Sequence, residues 1–265
     1  LVFTAIAFGR LPGGVALLVA VCVLGQWEFL KMAQRVLPRP PLIVPALALG
    51  VSLPAVTYLF SAPFTGATRS AHGAAFGIAA VGGVALAALV DALRHGVSPW
   101  RFPATKSLLY VPLPMTCLLL LALQSNSLAL PIWVVGTAKF TDVGALVFGK
   151  LFGRRALASM LSPGKTWEGA LGGVVTGFAV GWAATALLPT DRFDRAAMIA
   201  LAGILPPLAI AGDLFESWLK RRAGVKDSGR TIPGIGGVLD LIDSVIICAP
   251  VACAYQLVVA VVTRS

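Results

Sequence analysis

Long, uninterrupted runs of apolar residues restrict the folds that this chain can adopt. A helix needs roughly 20 residues to cross the hydrocarbon core of a bilayer. Because an apolar run is already under way at the first residue, we predict a truncated helix at Leu1–Phe8 and a natural chain that begins further upstream. About eight full spans are predicted, at 14–30, 42–60, 74–93, 107–123, 128–148, 167–188, 196–212 and 240–262. The predicted fold class is therefore all-α, a polytopic integral membrane protein.

The composition excludes a soluble globular domain. Hydrophobic residues make up 58% of the chain and charged residues 12%, whereas a soluble domain carries about 25% charged residues. A transmembrane β-barrel is also disfavoured, because its strands would alternate in polarity over about 10 residues. The four cysteines lie in apolar runs without metal-ligand spacing, so we interpret them as packing residues.

Lys and Arg residues are concentrated in alternate connections between the predicted spans. Of the 21, 15 lie on one predicted side and 5 on the other, and Lys139 lies inside an apolar run. In a multispanning chain this distribution is more informative than the net charge of +10, and the richer side is predicted to be cytoplasmic. We therefore expect a protein of the inner (cytoplasmic) membrane whose polar chemistry faces the cytoplasm, and no nucleic-acid partner.

Acidic residues are concentrated in the second half of the chain. A carboxylate within a membrane span costs a few kcal/mol unless it is paired, hydrated or bound to a cation, so it predicts a functional site. Glu28 and Asp91, near predicted inner helix ends, are instead expected to be structural. Asp191 and Asp194 lie in a predicted outer loop and are expected to be solvated surface charges. The other seven acidic residues of the second half are Asp142, Glu168, Asp213, Glu216, Asp227, Asp240 and Asp243.

The spacing of these residues predicts a metal site. Asp213, Glu216 and Ser217 share one face of a helix, and Asp240 and Asp243 repeat the i, i+3 spacing. Two carboxylate pairs that face each other across a helix interface repel, and a hard cation such as Mg²⁺ relieves that repulsion. The alternative interpretation is a set of interhelical salt bridges to Lys220, Arg221 or Lys226.

Two basic, glycine-containing segments are suited to anionic ligands. The first, 220–237, mixes five cations with glycines that let backbone N–H groups approach phosphate, although such a run can also set topology or contact lipid head groups. The second, Ser162–Gly169, is predicted to form a turn before a helix whose N-terminus attracts phosphate. It lacks the spacing of a Walker A loop.

These segments carry a family resemblance. The stretch 212–244, GDLFESWLKRRAGVKDSGRTIPGIGGVLDLIDS, resembles the signature of the phosphatidate cytidylyltransferases, or CDP-diacylglycerol synthases. The stretches 162–169 and 141–154 are similar to that family's preceding motifs, and 27–29 resembles a feature near its N-terminal end. Two positions depart from the usual pattern, since Ile235 stands where His is common and Leu241 where Arg is common.

The resemblance implies transfer of a cytidylyl group from CTP to phosphatidate, which yields CDP-diacylglycerol and pyrophosphate. It implies Mg²⁺, with K⁺ as a candidate second cation, and a homodimer by analogy. The alternatives are an ion-coupled membrane transporter and a catalytically degenerate paralogue. In this interpretation residues 1–130 form a scaffold of transmembrane helices, and residues 131–265 carry the catalytic motifs.

Residue roles follow from this interpretation. The metal ligands are predicted to be Asp213, Asp240 and Asp243, supported by Glu216 and Asp142. Lys226 is grouped with the three aspartates as a catalytic residue. Ser162, Thr166 and Ser217 are hydrogen-bond donors in this scheme, although each could instead cap a helix or bond a backbone carbonyl. The predicted substrate-binding residues are Ser162, Lys165, Thr166, Ser217, Lys220, Arg221 and Arg230.

Overall fold

The computed structural model describes residues 11–36, 43–61, 103–125, 127–188, 194–229, 231 and 236–262. The predicted helix at Leu1–Phe8 and the predicted span at 74–93 lie outside the described residues, as do Asp91, Arg230 and Ile235.

Helices dominate the described residues. They are α1 (Leu11–Gln34), α2 (Ile43–Ser61), α3 (Pro103–Tyr110), α4 (Pro112–Ser125), α5 (Ala129–Phe152), α6 (Trp167–Ala184), α7 (Arg195–Arg222) and α8 (Val238–Val262). A 3-10 turn, Thr185–Leu187, follows α6. Strands β1 (Ala156–Ala158) and β2 (Ser162–Thr166) form a short antiparallel hairpin between α5 and α6. The predicted turn at Ser162–Gly169 is therefore a strand followed directly by the start of α6.

Six helical runs of the described residues are long and apolar enough to cross a membrane. They are Gly13–Gln34, Thr105–Leu123, Ala129–Phe152, Trp167–Leu187, Arg195–Arg222 and Val238–Val259. The apolar stretch of α2, Ile43–Tyr58, is shorter. The all-α, multi-pass membrane fold is confirmed, whereas the count of eight full spans stays a prediction.

The chain divides into two compact units. The first consists of Leu1–Leu128 and Ala223–Leu241. Its described core includes the fully buried side chains of Leu30 and Leu119. Gln26 on α1 is also fully buried, and its amide donates to Ala46 O at 2.8 Å and to Ser107 Oγ at 3.1 Å. These bonds connect α1 to α2 and α3, and they satisfy the donor side of a polar group that would be costly to bury alone.

The second unit consists of Ala129–Arg222 and Ile242–Ser265. Here α6 packs closely against α5 through a row of buried glycines, Gly169, Gly172, Gly173, Gly177 and Gly181. Trp133 of α5 donates its indole N–H to Gly181 O at 2.9 Å. The functional division at residue 130 stays a prediction, because the first unit also contains a later segment of the motif region.

Helix α7 is longer than the predicted span at 196–212. It continues to Arg222, so Asp213, Glu216 and Lys220 all lie on one helix. Its last turn carries Lys220, Arg221 and Arg222, whose positive charges are favourable beside the negative end of the helix dipole. The extension places part of the predicted basic segment on a rigid element.

Candidate active site

Three carboxylates of the second unit converge on one point. Asp213 and Glu216 project from α7 and Asp243 from α8, and one oxygen of each lies within 4.8 Å of the others. Glu216 is fully buried and Asp243 is 8% exposed. We call these three residues the carboxylate cluster. The predicted approach of Asp213 to Asp243 is confirmed.

Gly212 allows α7 and α8 to come this close. A Cβ atom at this position would lie 2.7 Å from the carbonyl oxygen of Asp243 and 3.4 Å from the Cα of Ser244. The first distance is shorter than real Cβ contacts show, so any larger residue would force the two helices apart. The glycine therefore determines how near Asp213 stands to Asp243.

Each carboxylate of the cluster pairs with a different lysine. The pairs are Lys165 with Asp213, Lys220 with Glu216 at 2.6 Å and Lys139 with Asp243 at 3.2 Å. Lys220 and Glu216 lie one turn apart on α7, so this pair lies within one helix, whereas the alternative interpretation was of salt bridges between helices. Arg221 instead donates to Leu161 O at 3.2 Å. Three cations thus lie beside three anions at one site.

Sequence reasoning gave Lys139 no functional role. Its ammonium group contacts Asp142 at 2.9 Å as well as Asp243 at 3.2 Å. Asp142 also accepts a hydrogen bond from Ser244 Oγ at 2.8 Å. The available signal was a lysine inside an apolar run, three residues before an aspartate. Asp142 is not one of the three members of the carboxylate cluster. It is connected to the cluster by Lys139, which also contacts Asp243, and by its hydrogen bond from Ser244.

The cluster suits a divalent cation of the hard type. Its donors are all carboxylate oxygens, which Mg²⁺ and Ca²⁺ prefer. With bonds of roughly 2.0–2.6 Å, two ligands of one ion lie up to about 5 Å apart, and the cluster meets that limit without rearranging its helices. These residues can therefore hold a metal ion.

A cleft of about 200 Å³ opens beside the cluster in the second unit. Its lining includes Asp142, Lys165, Thr166 and Asp213 from the predicted set. Thr166 caps α6 by accepting a hydrogen bond from Gly169 N at 3.1 Å, so the helix-cap alternative holds for this residue. The cleft presents one cation and two carboxylates to whatever enters it.

The other two predicted hydroxyl donors lie on regular elements of the same unit. Ser162 begins β2 and pairs with Ala158 of β1. Ser217 lies on α7, where it is 9% exposed and directly follows Glu216 of the cluster.

In the first unit, Asp240 has a different environment. Its Oδ2 accepts hydrogen bonds from Gly237 N at 2.7 Å, Ser228 Oγ at 2.8 Å and Ser228 N at 3.2 Å. Because Asp240 is the third residue of α8, its bond to Gly237 N caps the start of that helix. Its assignment as a metal ligand stays a prediction.

Glu28 of α1 is held in the same unit by four hydrogen bonds. It is 1% exposed and accepts from Val238 N at 3.0 Å, Leu239 N at 2.9 Å, Ser228 Oγ at 3.3 Å and Thr231 Oγ1. The expectation that Glu28 is structural did not include these partners, which lie 200 or more positions further along the chain. Lys226 and Asp227, just before Ser228, are exposed.

Comparison with known proteins agrees with the motif pattern. The sequence model described as the Cytidylyltransferase family matches residues 1–259. Over 113 residues the chain is 42% identical to the phosphatidate cytidylyltransferase of Haemophilus influenzae, covering 41% of this chain and 39% of that protein. Over 150 residues it is 35% identical to the phosphatidate cytidylyltransferase of Rickettsia felis, covering 54% of this chain and 66% of that protein.

A third relative is the phosphatidate cytidylyltransferase of Pseudomonas aeruginosa, 42% identical over 115 residues. That match covers 43% of this chain and 42% of the relative. The chain thus spans about two fifths of the length of two of these relatives and about two thirds of the third. The family model, in contrast, extends over nearly the whole sequence. The chain therefore belongs to the cytidylyltransferase family.

Proposed function

We propose that this chain is a phosphatidate cytidylyltransferase of phospholipid biosynthesis, which converts CTP and phosphatidate to CDP-diacylglycerol and pyrophosphate. The observation that carries the proposal is the carboxylate cluster with its three paired lysines, beside a cleft lined in part by Asp142, Lys165 and Asp213. The relatives named phosphatidate cytidylyltransferase support the choice of substrates.

The reaction brings two anions together. A phosphate oxygen of phosphatidate attacks the α-phosphorus of CTP, and pyrophosphate leaves from the opposite side. Since phosphatidate is already ionised, its attacking oxygen needs no strong general base. The work left to the protein is to neutralise charge and to hold the two phosphates in line.

The carboxylate cluster and the lysines would divide this work. Asp213, Glu216 and Asp243 would hold Mg²⁺, which supplies charge neutralisation at the phosphoryl oxygens when bound. Lys165 lines the cleft, which supports its assignment to a phosphate group there. Lys220 lies on the same face of α7 as Glu216, one helical turn later. We assign Lys226, Arg221 and Arg230 to the remaining phosphate contacts, and Ser162 and Ser217 to hydrogen bonds with substrate.

The setting of the reaction follows from the charge distribution. The excess of Lys and Arg on one predicted side supports an active site that faces the cytoplasm in the inner membrane. Phosphatidate would then enter from the lipid and CTP from the water. K⁺ as a second cation and a homodimer are retained as parts of this proposal.

The test is pyrophosphate release by the detergent-purified protein supplied with phosphatidate micelles. Release should require CTP, phosphatidate and Mg²⁺ together, with CDP-diacylglycerol formed in equal amount. An ion-coupled transporter or a degenerate paralogue would release none. Release without phosphatidate would show a different acceptor and would overturn the substrate assignment.

A further inference from the structure

Glu28 contacts a segment of the chain that is far from it in sequence. It lies on α1, yet its described partners are the first two backbone N–H groups of α8 and the hydroxyls of Ser228 and Thr231. The carboxylate thus caps α8 from another helix. Negative charge at this end of a helix is favoured by the dipole and satisfies donors that have no partner within the helix.

The distribution of donors over the two oxygens is specific to a carboxylate. Oε1 accepts from Val238 N and Thr231 Oγ1, and Oε2 accepts from Leu239 N and Ser228 Oγ. Each oxygen therefore takes one backbone N–H and one hydroxyl. A hydroxyl can turn and accept instead, but a backbone N–H cannot. An amide in place of the carboxylate would aim its own N–H₂ group at one of the two backbone donors.

The backbone positions that contact this carboxylate most closely are glycines. A Cβ atom at Gly237 would collide with Ser228 Oγ and Glu28 Oε2, and one at Gly229 would lie 2.5 Å from Glu28 Oε1. The segment therefore approaches Glu28 as closely as glycine permits. Ser228 Oγ lies 3.3 Å from Glu28 Oε2 and 2.8 Å from Asp240 Oδ2, and its single proton donates to one of the two at a time.

We propose that Glu28 is a positioning residue that fixes residues 226–229 and Thr231 against the start of α8 and so holds Lys226 for its phosphate contact. Lys226 is exposed and lies two residues before the anchored Ser228, so its backbone cannot move far while Glu28 keeps its four bonds. The phosphate contact of Lys226 rests on the proposed function, whereas the anchoring of the segment by Glu28 rests on the hydrogen bonds alone.

The test compares Glu28→Gln, Glu28→Asp and Gln26→Ala in the full-length protein. Gln26 is the matched control because it is equally buried, lies two residues away on α1 and bonds to α2 and α3 instead. Hydrogen–deuterium exchange is followed in peptides that cover 226–241, and CTP-dependent pyrophosphate release is measured in parallel.

Glu28→Gln should speed hydrogen–deuterium exchange of the Val238 and Leu239 amides and raise the KM for CTP about tenfold, while the amides of α1 stay protected. Glu28→Asp keeps both acceptor oxygens and should recover part of each effect. Gln26→Ala should leave exchange at 226–241 and the KM for CTP as in the wild type.

Two results would overturn the positioning role. The first is unchanged exchange at 238 and 239 in Glu28→Gln, and the second is equal opening of this segment in Gln26→Ala. If the wild type releases no pyrophosphate, the proposed function fails, whereas the exchange comparison still decides whether Glu28 holds the segment.

Discussion

The two units of this protein use their carboxylates in different ways. In the first unit, Glu28 and Asp240 accept hydrogen bonds from backbone N–H groups and hydroxyls. In the second unit, Asp213, Glu216 and Asp243 face lysine side chains and one another. The same functional group therefore has fixed partners in one region and flexible ones in the other.

This difference indicates what each region can do. A backbone N–H cannot leave its place without unfolding a turn, so a carboxylate that bonds to it stabilises the local chain. A lysine ammonium ends a flexible side chain and can move toward a phosphate while a cation takes its position. Carboxylates paired with lysine are thus suited to exchange partners during a reaction, and those paired with backbone are suited to hold shape.

The largest effect is expected at the carboxylate cluster. Asp213→Asn keeps the size of the side chain but removes a charge that we assign to the metal. Cytidylyl transfer should fall by a factor of about 100 or more, which is roughly 2.7 kcal/mol of transition-state stabilisation. Binding of Mg²⁺ or Mn²⁺, measured by calorimetry or electron paramagnetic resonance, should weaken in the same variant, and added Mg²⁺ should restore part of the activity.

Asp194→Asn is the control for that substitution. Asp194 precedes α7 and caps it by accepting a hydrogen bond from Ala196 N at 3.1 Å. Since Asn is about as good a helix cap as Asp, activity and metal binding should not change. Near-normal turnover of Asp213→Asn at ordinary Mg²⁺ would remove Asp213 from the metal site.

Lys139 tests whether the second unit depends on paired charge. Lys139→Met removes the ammonium group shared by Asp142 and Asp243 and leaves their carboxylates to repel. The free energy of unfolding in detergent should fall by about 2 kcal/mol, less than for a fully buried pair because both side chains keep some exposure. Added Mg²⁺ should recover part of the loss, as judged by denaturant titration. A loss that Mg²⁺ leaves unchanged would separate Lys139 from the metal site.

Helix spacing is the next test, through Gly212. Gly212→Ala places a Cβ atom 2.7 Å from Asp243 O, so α7 and α8 must separate slightly. Overpacking of this kind costs about 1–3 kcal/mol, and activity should fall about tenfold as Asp213 moves away from Asp243. Gly203→Ala is the matched control on the same helix, because a Cβ atom there meets nothing within 4 Å. Equal activity of the two variants would contradict the role of Gly212.

Much of the fold could be predicted because membrane spans have a strong local signal. The apolar runs at 128–148 and 167–188 correspond to α5 and α6 to within a few residues. The end of α7 could not be predicted from hydropathy, since Asp213 to Arg222 is a polar continuation of an apolar helix. The β1–β2 hairpin was missed because Ser162-Pro163-Gly164 is typical of a turn.

Parts of the site could be predicted by spacing within one helix, as for Asp213 and Glu216. The pairing of Lys139 with Asp243 joins positions 104 residues apart, and the contacts of Glu28 with α8 join positions more than 200 apart. No local pattern reports which distant donors a buried carboxylate will meet. Residues whose role depends on such contacts need the folded structure.

The smallest effect is expected at Asp240, and it would sharpen the comparison most. If Asp240 is a metal ligand, as the sequence suggests, Asp240→Asn should lower the activity about 100-fold, and added Mg²⁺ should restore part of that activity. The hydrogen bonds predict otherwise. The described bonds to Oδ2 are 2.7, 2.8 and 3.2 Å long, and the described bond to Oδ1 is 3.4 Å long, so an Asn carbonyl in place of Oδ2 can keep the three shorter ones. We therefore expect a loss of less than about tenfold in pyrophosphate release, with no response to added Mg²⁺. Glu28→Gln should be more damaging than Asp240→Asn, because both oxygens of Glu28 hold a backbone N–H. A large, Mg²⁺-sensitive loss in Asp240→Asn would instead return Asp240 to the metal site.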